Sequence, residues 1–380
     1  MNSPTHQRIS LSVYFFLSGF CFSTWASRIP TIKDMFHLNE AELGNMLLAM
    51  PISSLLGLPI SGWLVSKFDS RTPLLFSFIF FSLSLLLIGY STSIVMLLIA
   101  ICSFAFFMRI LNISMNTQSI ALQKSFQKKI IGSFHGIWST GGLSGVGFST
   151  LMVKMNISIE KHLLITAVFT LVSSLLAYRY LIKNDKSKYG NKLIIGKPDP
   201  FIFFLGILVF FAAVCEGGMY DWSGVYFKEV IKEEIFTFGY LIFMAFMALS
   251  RFFSDRLIEN IGMKKTYILS ALFISLGIST AVIFPFFWPA MIGFCLVGFG
   301  TASVFPMTFS LAGTSKKYSP GMAISIIVTY GIAGMLIGPP LIGYVAHAFN
   351  LKVSFVIFIL SGIMLVPVSQ LVFKYQKKQS

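Results

Sequence analysis

The chain has 380 residues, of which 56% are hydrophobic and only 11% charged, and its formal net charge is +15. Those proportions exclude a soluble globular protein and describe an integral membrane protein. The basic residues sit in short connectors between hydrophobic runs, which is how cytoplasmic loops look and argues against a nucleic-acid partner.

The runs are roughly 17 to 25 residues long without strict apolar/polar alternation, so they predict spanning helices and not barrel strands. Twelve segments follow in order, near 10–29, 43–65, 73–90, 94–117, 132–154 and 163–182, then 201–227, 236–256, 267–287, 289–311, 322–346 and 353–373. The expected fold is an all-α membrane protein with twelve transmembrane helices in two pseudo-symmetric six-helix bundles. Residues 1–183 form the N-terminal bundle, 184–200 a cytoplasmic linker, and 201–380 the C-terminal bundle. An even number of spans puts both termini on one side. Alternate loops on that side hold most of the 29 Lys and Arg, among them Lys124, Lys128, Lys129, Lys183, Lys186, Lys188, Lys192 and Lys197. The positive-inside rule makes it the cytoplasmic face of the inner membrane. Leu11 to Trp25 is followed by Arg28-Ile29-Pro30 and no small-residue cleavage site, so it reads as a span and not a signal peptide. Cys21, Cys102, Cys215 and Cys295 lie far apart inside hydrophobic runs, so neither a disulfide framework nor a metal site is expected.

In the first span Trp25 falls where Trp222 falls in the seventh, a weak internal repeat. Arg28 closes the first span near the outer boundary. In the fourth span Arg109, Asn112 and Asn116 are spaced i, i+3, i+7 on one helical face. A guanidinium beside two carboxamides suits a carboxylate, a phosphate or a hydroxylated ligand; the alternative is that Arg109 neutralises an acid on a neighbouring helix. In the fifth span His135, Trp138, Ser139 and Gly142 share a face, and Gly141, Gly142, Gly145 and Gly147 allow close helix approach. Trp25, Trp138 and Trp222 fit either stacking on a sugar-like ring or the aromatic belt. His162 and His347 read as boundary residues.

The seventh span carries Glu216 and Asp221, and ionisable groups at membrane depth mark substrate paths and proton relays. Glu216, Tyr220 and Ser223 share a face, whereas Asp221 lies about 140° around from Glu216. Glu216 is therefore the candidate proton carrier, against a packing role held by hydrogen bonds. Asp221, nearer the outer boundary, pairs with Arg28 as a candidate outer gate. In the eighth span Arg251 and Asp255 stand at i, i+4 and are expected to pair on the inner side. The eleventh is dense in Gly331, Gly334, Gly338, Pro339 and Pro340.

The six-plus-six plan resembles the major facilitator superfamily, and more narrowly its bacterial YbjJ/MosC-like, fucose-permease-like branch. The residues that carry the likeness are Trp25-Ala26-Ser27-Arg28-Ile29-Pro30, Met115-Asn116-Thr117-Gln118 and Ser133 to Ser139. In the second half they are Glu216-Gly217, Asp221-Trp222-Ser223 and Gly338 to Gly343. The superfamily's inner-loop motif is matched by Gly62, Lys67, Asp69 and Arg71, with Ser66 in place of the usual acid, and in the second half by Asp255, Arg256, Gly262, Lys264 and Lys265, just after Arg251. The resemblance implies that these loops latch helices on the inner face, with the second copy carrying more of that work.

Together these features predict a secondary active transporter that moves a small polar or anionic solute, sugar-like among the options, by proton-coupled alternating access. Substrate binding falls to Arg109, Asn112, Asn116, Trp138, Glu216 and Tyr220. The partners expected are the solute, a proton or other coupling ion and the lipid bilayer, with no cofactor, no metal and no nucleic acid, for a monomer that is not an enzyme. A drug or metabolite exporter of the same plan, and a membrane sensor or scaffold without transport, remain as alternatives.

Overall fold

The computed structural model describes residues 3–126, 130–183, 185, 199–318 and 320–379. The expected linker at 184–200 lies almost wholly outside the described residues, as do Lys128, Lys129, Lys186, Lys188, Lys192 and Lys197. Among those described there are helices and no strands. They are α1 (Pro4–Ser27), α2 (Ile29–Met35), α3 (Glu40–Lys67), α4 (Arg71–Gly89), α5 (Ile94–Gln123), α6 (Ile131–Lys154), α7 (Ile159–Tyr178), α8 (Pro200–Glu229), α9 (Thr237–Ile261), α10 (Met263–Ile283), α11 (Phe287–Ala302), α12 (Val304–Ala312), α13 (Pro320–Ala348), α14 (Leu351–Ser354) and α15 (Val356–Gln379). Ten spans among the described residues are long and apolar enough to cross a membrane, which establishes a multi-pass membrane protein of the all-α class. An all-helical solution is what a bilayer demands, because only a helix or a closed barrel satisfies every backbone N–H and C=O without water.

Local chemistry sets the ends of these helices. Ser3 and Ser93 cap α1 and α5 by accepting from His6 N and Met96 N, and Asp199 caps α8 by accepting from Ile202 N at 2.9 Å, with Pro200 at the first helical position. Asn39 and Glu42 open α3 as a capping box: each side chain accepts from the other's backbone N–H at 2.9 Å. The segment expected as one span at 289–311 is interrupted at Ser303 between α11 and α12. Pro306 accounts for the break, since it has no N–H to donate to Ala302 and its ring crowds that carbonyl.

The chain divides into two compact units, Met1–Phe36 with Ala49–Lys192, and His37–Leu48 with Leu193–Ser380. In the first, α1 packs along α6, and α4 packs against α5 and α7. Small residues make the α1 and α6 backbones meet. A Cβ added at Gly141 would collide with the Phe16 carbonyl, one at Gly145 with the Phe20 carbonyl, and one at Gly19 with the Trp138 carbonyl. With lipid as apolar as leucine, such close van der Waals approach is what holds spanning helices together. Gly147, on the same helix, faces open space. In the second unit α8 is the central element, packed against α13 and α15. Gly206 accepts the Tyr330 ring and Gly218 the Phe358 ring. The first turns of α3 belong to this unit, where Gly44 lies against Pro339 and Pro340 and Tyr344 donates to Asn45 at 2.9 Å.

Trp25 and Trp222 are fully buried with indole N–H groups that meet no acceptor among the described residues. Neither the belt nor the ring-stacking reading of their sequence position holds; both are core residues, with Trp25 near Phe104 at 6.2 Å between ring centroids.

The α1/α6 contact generates a paired test. Gly141→Val is expected to lower the unfolding temperature of the detergent-purified protein by several degrees, whereas Gly147→Val leaves it within about a degree. Equal shifts in scanning fluorimetry would reject glycine-dependent packing at this crossing.

Candidate functional site

In the first unit the fourth predicted span becomes α5, and it presents Arg109, Asn112 and Asn116 on one partly exposed face. Arg109 Nε donates to Ser54 Oγ on α3 at 2.8 Å. Gly57, one turn further along α3, leaves room for the Arg109 stem. No carboxylate pairs with this guanidinium among the described residues, and its two terminal nitrogens donate to none of their groups. The alternative that a neighbouring acid neutralises Arg109 thus has no partner there. The carboxamides are more locally occupied than their spacing suggests. Asn112 Nδ2 donates to the Met108 carbonyl at 3.2 Å, and Asn116 Nδ2 to the Asn112 carbonyl at 2.9 Å. What this face offers is a cationic donor fork flanked by two amide oxygens, which fits an anion bearing hydroxyl groups.

In the second unit Glu216 lies buried on α8, and Tyr220, one turn on, donates its hydroxyl to Glu216 Oε1. Arg251 on α9 reaches the same oxygen at 3.3 Å. Arg251 thus has a partner on α8; the Asp255 side chain, its expected partner four residues on, lies outside the described residues. Glu216 Oε2 is buried without a hydrogen-bond partner among the described residues. The carboxylate is thus one half of an ion pair with a spare acceptor, where the sequence suggested a lone cavity acid. Tyr240 and Phe243 hold the Tyr220 ring edge-on at 5.9 and 5.8 Å between centroids. Asp221 is partly exposed on α8, with no hydrogen bond or ion pair among the described residues.

Arg28, between α1 and α2, is buried and bonded within its own unit. Its Nε donates to His162 Nδ1 at 2.9 Å and its Nη2 to the Ile157 carbonyl at 2.8 Å. His162, in the first turn of α7, is fully buried within the unit, with the Phe148 ring 5.3 Å away. An Nδ1 that accepts from a guanidinium belongs to a neutral imidazole. Trp138 on α6 is half-buried near Phe22 at 6.1 Å, and His135 is exposed beside Phe15. His347 lies 3.9 Å from Glu40 on the exposed surface of the second unit.

At the inner-loop motif Ser66 Oγ turns back to the Trp63 carbonyl, Lys67 lies over the Trp63 ring at 4.8 Å and Arg71 over the Tyr178 ring at 5.4 Å. The carboxylate at the start of α4 comes from elsewhere in the chain. Asp185 accepts from the Ser70 backbone N–H at 2.9 Å and from the Ser70 hydroxyl, and Gln118 at the end of α5 joins it at 3.1 Å. Gln118 also accepts from Ile182 N, so one node ties the start of α4, the end of α5 and the chain after α7. An anion at a helix N-terminus is favourable on both hydrogen-bond and dipole grounds. Asp185 lay in the expected linker, among many charged residues, with no periodic signal to single it out; Met115-Asn116-Thr117-Gln118 did mark its partner.

The Asp185 node is tested at the backbone. Asp185→Ala is expected to cost about 1–3 kcal/mol locally and to speed amide exchange in the first turn of α4, with α11 as an unaffected reference. Unchanged protection at residues 70–74 would rule out the carboxylate as their cap.

The family model described as the Major Facilitator Superfamily matches residues 11–318 and 240–380. An uncharacterized MFS-type transporter of Yersinia pestis is 30% identical over 351 residues, covering 92% of this chain and 91% of that protein. Membrane protein MosC of Rhizobium meliloti is 28% identical over 361 residues, covering 93% and 87%. Among solved structures, a bacterial homolog of the human lysosomal transporter Spinster matches with a TM-score of 0.77 at 13% identity, covering 97% of this chain and 96% of that one.

Proposed function

This chain belongs to the Major Facilitator Superfamily, in the MosC-like branch, and from that premise we propose that it carries a small hydroxylated anion across the cytoplasmic membrane by proton-coupled alternating access. Membership makes it a membrane transporter; the solute class, the coupling and the orientation are our reading. One observation supports the solute class above the others. Arg109 is a cation in a spanning helix that no acid among the described residues neutralises. A charge at that depth is costly, and a solute carboxylate or phosphate that took its two free nitrogens would offset the cost with charge-assisted hydrogen bonds. Asn112 and Asn116 keep their amide oxygens for solute hydroxyls.

Glu216 is the proton carrier in this reading. A proton enters at Oε2, which has no partner among the described residues; the carboxyl then loses its charge and its hold on Arg251, and Tyr220 keeps it in place. Both termini are cytoplasmic, the working unit is a monomer, and no cofactor or nucleic acid takes part.

Counterflow in proteoliposomes with radiolabelled hexoses and hexuronates separates the possibilities. Hexuronate exchange is expected, and Arg109→Gln is expected to reduce it about 10- to 100-fold, the worth of one or two charge-assisted bonds. Exchange of hexoses alone would overturn the anion. No exchange, with altered drug susceptibility on expression, would favour the exporter instead. A second test concerns coupling: Glu216→Gln is expected to abolish uphill uptake driven by a pH gradient and to spare exchange. Concentrative uptake at the wild-type level in that variant would remove Glu216 from the proton path.

A further inference from the structure

We propose that the groove between α1 and α7 seats one anionic glycerophospholipid, taken from the leaflet on the side of the N-terminus. This inference is independent of the solute and of the coupling.

The groove encloses about 920 Å³ and lies wholly within the first unit. Its walls run antiparallel and in register. His6 stacks near Tyr180 at 5.9 Å, Ser10 Oγ donates to the Ala177 carbonyl at 2.5 Å, and Tyr14 donates to the Ser174 carbonyl at 2.8 Å. Lining residues on α1 extend from Thr5 to Leu17. Twelve steps of helical rise make about 18 Å, close to the depth of one leaflet of a roughly 30 Å hydrocarbon core.

Chemistry is graded along that length. At the terminal end the lining is His6, Arg8 and the Tyr180 hydroxyl, whereas at the deep end it is Val13, Phe16 and Phe169. Phe169 and Tyr180 are both exposed, so the groove opens sideways, where a span meets lipid tails. Arg8 donates one bond, to Ser133 Oγ at 3.2 Å, and lies over the Phe126 ring at 5.7 Å. Its other guanidinium N–H groups donate to no described residue. A cation and a histidine above an apolar slot of one-leaflet depth match a phosphodiester headgroup above acyl chains. A zwitterionic lipid fits the slot equally well. Its own ammonium, however, repels Arg8, so charge complementarity selects the anionic lipid.

The test uses the full chain, delipidated in mild detergent and titrated with dioleoylphosphatidylglycerol or dioleoylphosphatidylcholine under native mass spectrometry. Wild type is expected to take up one phosphatidylglycerol at least about five-fold more tightly than phosphatidylcholine, the preference that one basic side chain near a headgroup supplies. In the double variant H6Q/R8Q the two lipids are expected to bind alike. Ser173→Trp, which fills the slot and leaves the basic end untouched, is expected to weaken both. Equal binding of the two lipids to wild type would overturn the proposal, and so would a phosphatidylglycerol preference that survives H6Q/R8Q. Should the double variant fail to fold, the wild-type comparison and Ser173→Trp still decide.

Discussion

A charge held inside a bilayer has to be paired, solvated or used, and the placement of Arg109, Glu216 and Arg251 follows from that constraint. Removing an ion from water costs several kcal/mol even after relaxation, so each of the three needs partners that offset the cost. The structure treats them differently. Glu216 and Arg251 neutralise each other on adjacent helices of one unit, and Tyr220 adds a second contact to the shared oxygen. Arg109 has a hydroxyl for its Nε and no acid among the described residues. Arg28 finds a neutral imidazole and a backbone carbonyl. Acceptors without charge are weaker partners than carboxylates, so Arg109 keeps an appetite for an anion that Arg251 has already satisfied.

The helices that carry these groups are positioned by small residues. In the first unit Gly19, Gly141 and Gly145 bring the α1 and α6 backbones to contact distance, and the same device recurs where α10 meets α11 at Gly277 and Gly293. Because lipid offers no hydrophobic gain for helix association, the contact surface has to be close and smooth. The polar side chains then need not hold the helices together. Many bond to their own helix, as Thr166, Thr170, Asn112 and Asn116 do; others cross between elements, among them Arg109 to Ser54, Gln118 to Asp185 and Arg28 to His162, and fix position.

How much of this was legible in the sequence depends on the range of the interaction. Local patterns carried over: the all-helical membrane class, the glycine face of α6, the common face of Arg109, Asn112 and Asn116, and the Glu216 to Tyr220 spacing all depend on residues within two turns of one another. Long-range partners did not. Nothing around His162 distinguishes a boundary imidazole from one that accepts a buried guanidinium 134 positions away, and the contact of Arg251 with Glu216 on the preceding helix has no local signal. Ser66 was visible as a missing acid. That Asp185 brings a carboxylate to the start of α4 was not, because a helix N-terminus accepts any anion that the chain can deliver. Trp25 and Trp222 failed for a related reason: near the end of a span, depth decides between belt and core, and depth is a property of the packed unit.

The ion pair on α8 and α9 also constrains how a proton and an anion would be linked on the proposed mechanism. While Glu216 is ionised, Arg251 is neutralised and has little to gain from a second carboxylate. Once a proton sits on Oε2, the carboxyl loses its charge and the half-buried Arg251 guanidinium loses that neutralising partner. On the proposed mechanism the net positive charge that protonation adds attracts an anionic solute, which therefore binds more tightly to the protonated protein. Linkage then requires that the solute raise the affinity of Glu216 for its proton by the same factor. The coupling needs no mechanical relay, because it is carried by the change in net charge when Glu216 takes its proton. Its size is bounded by the strength of that one pair, and Tyr220, which holds Glu216 in either charge state, keeps the carboxyl in position for the pair to form again when the proton leaves.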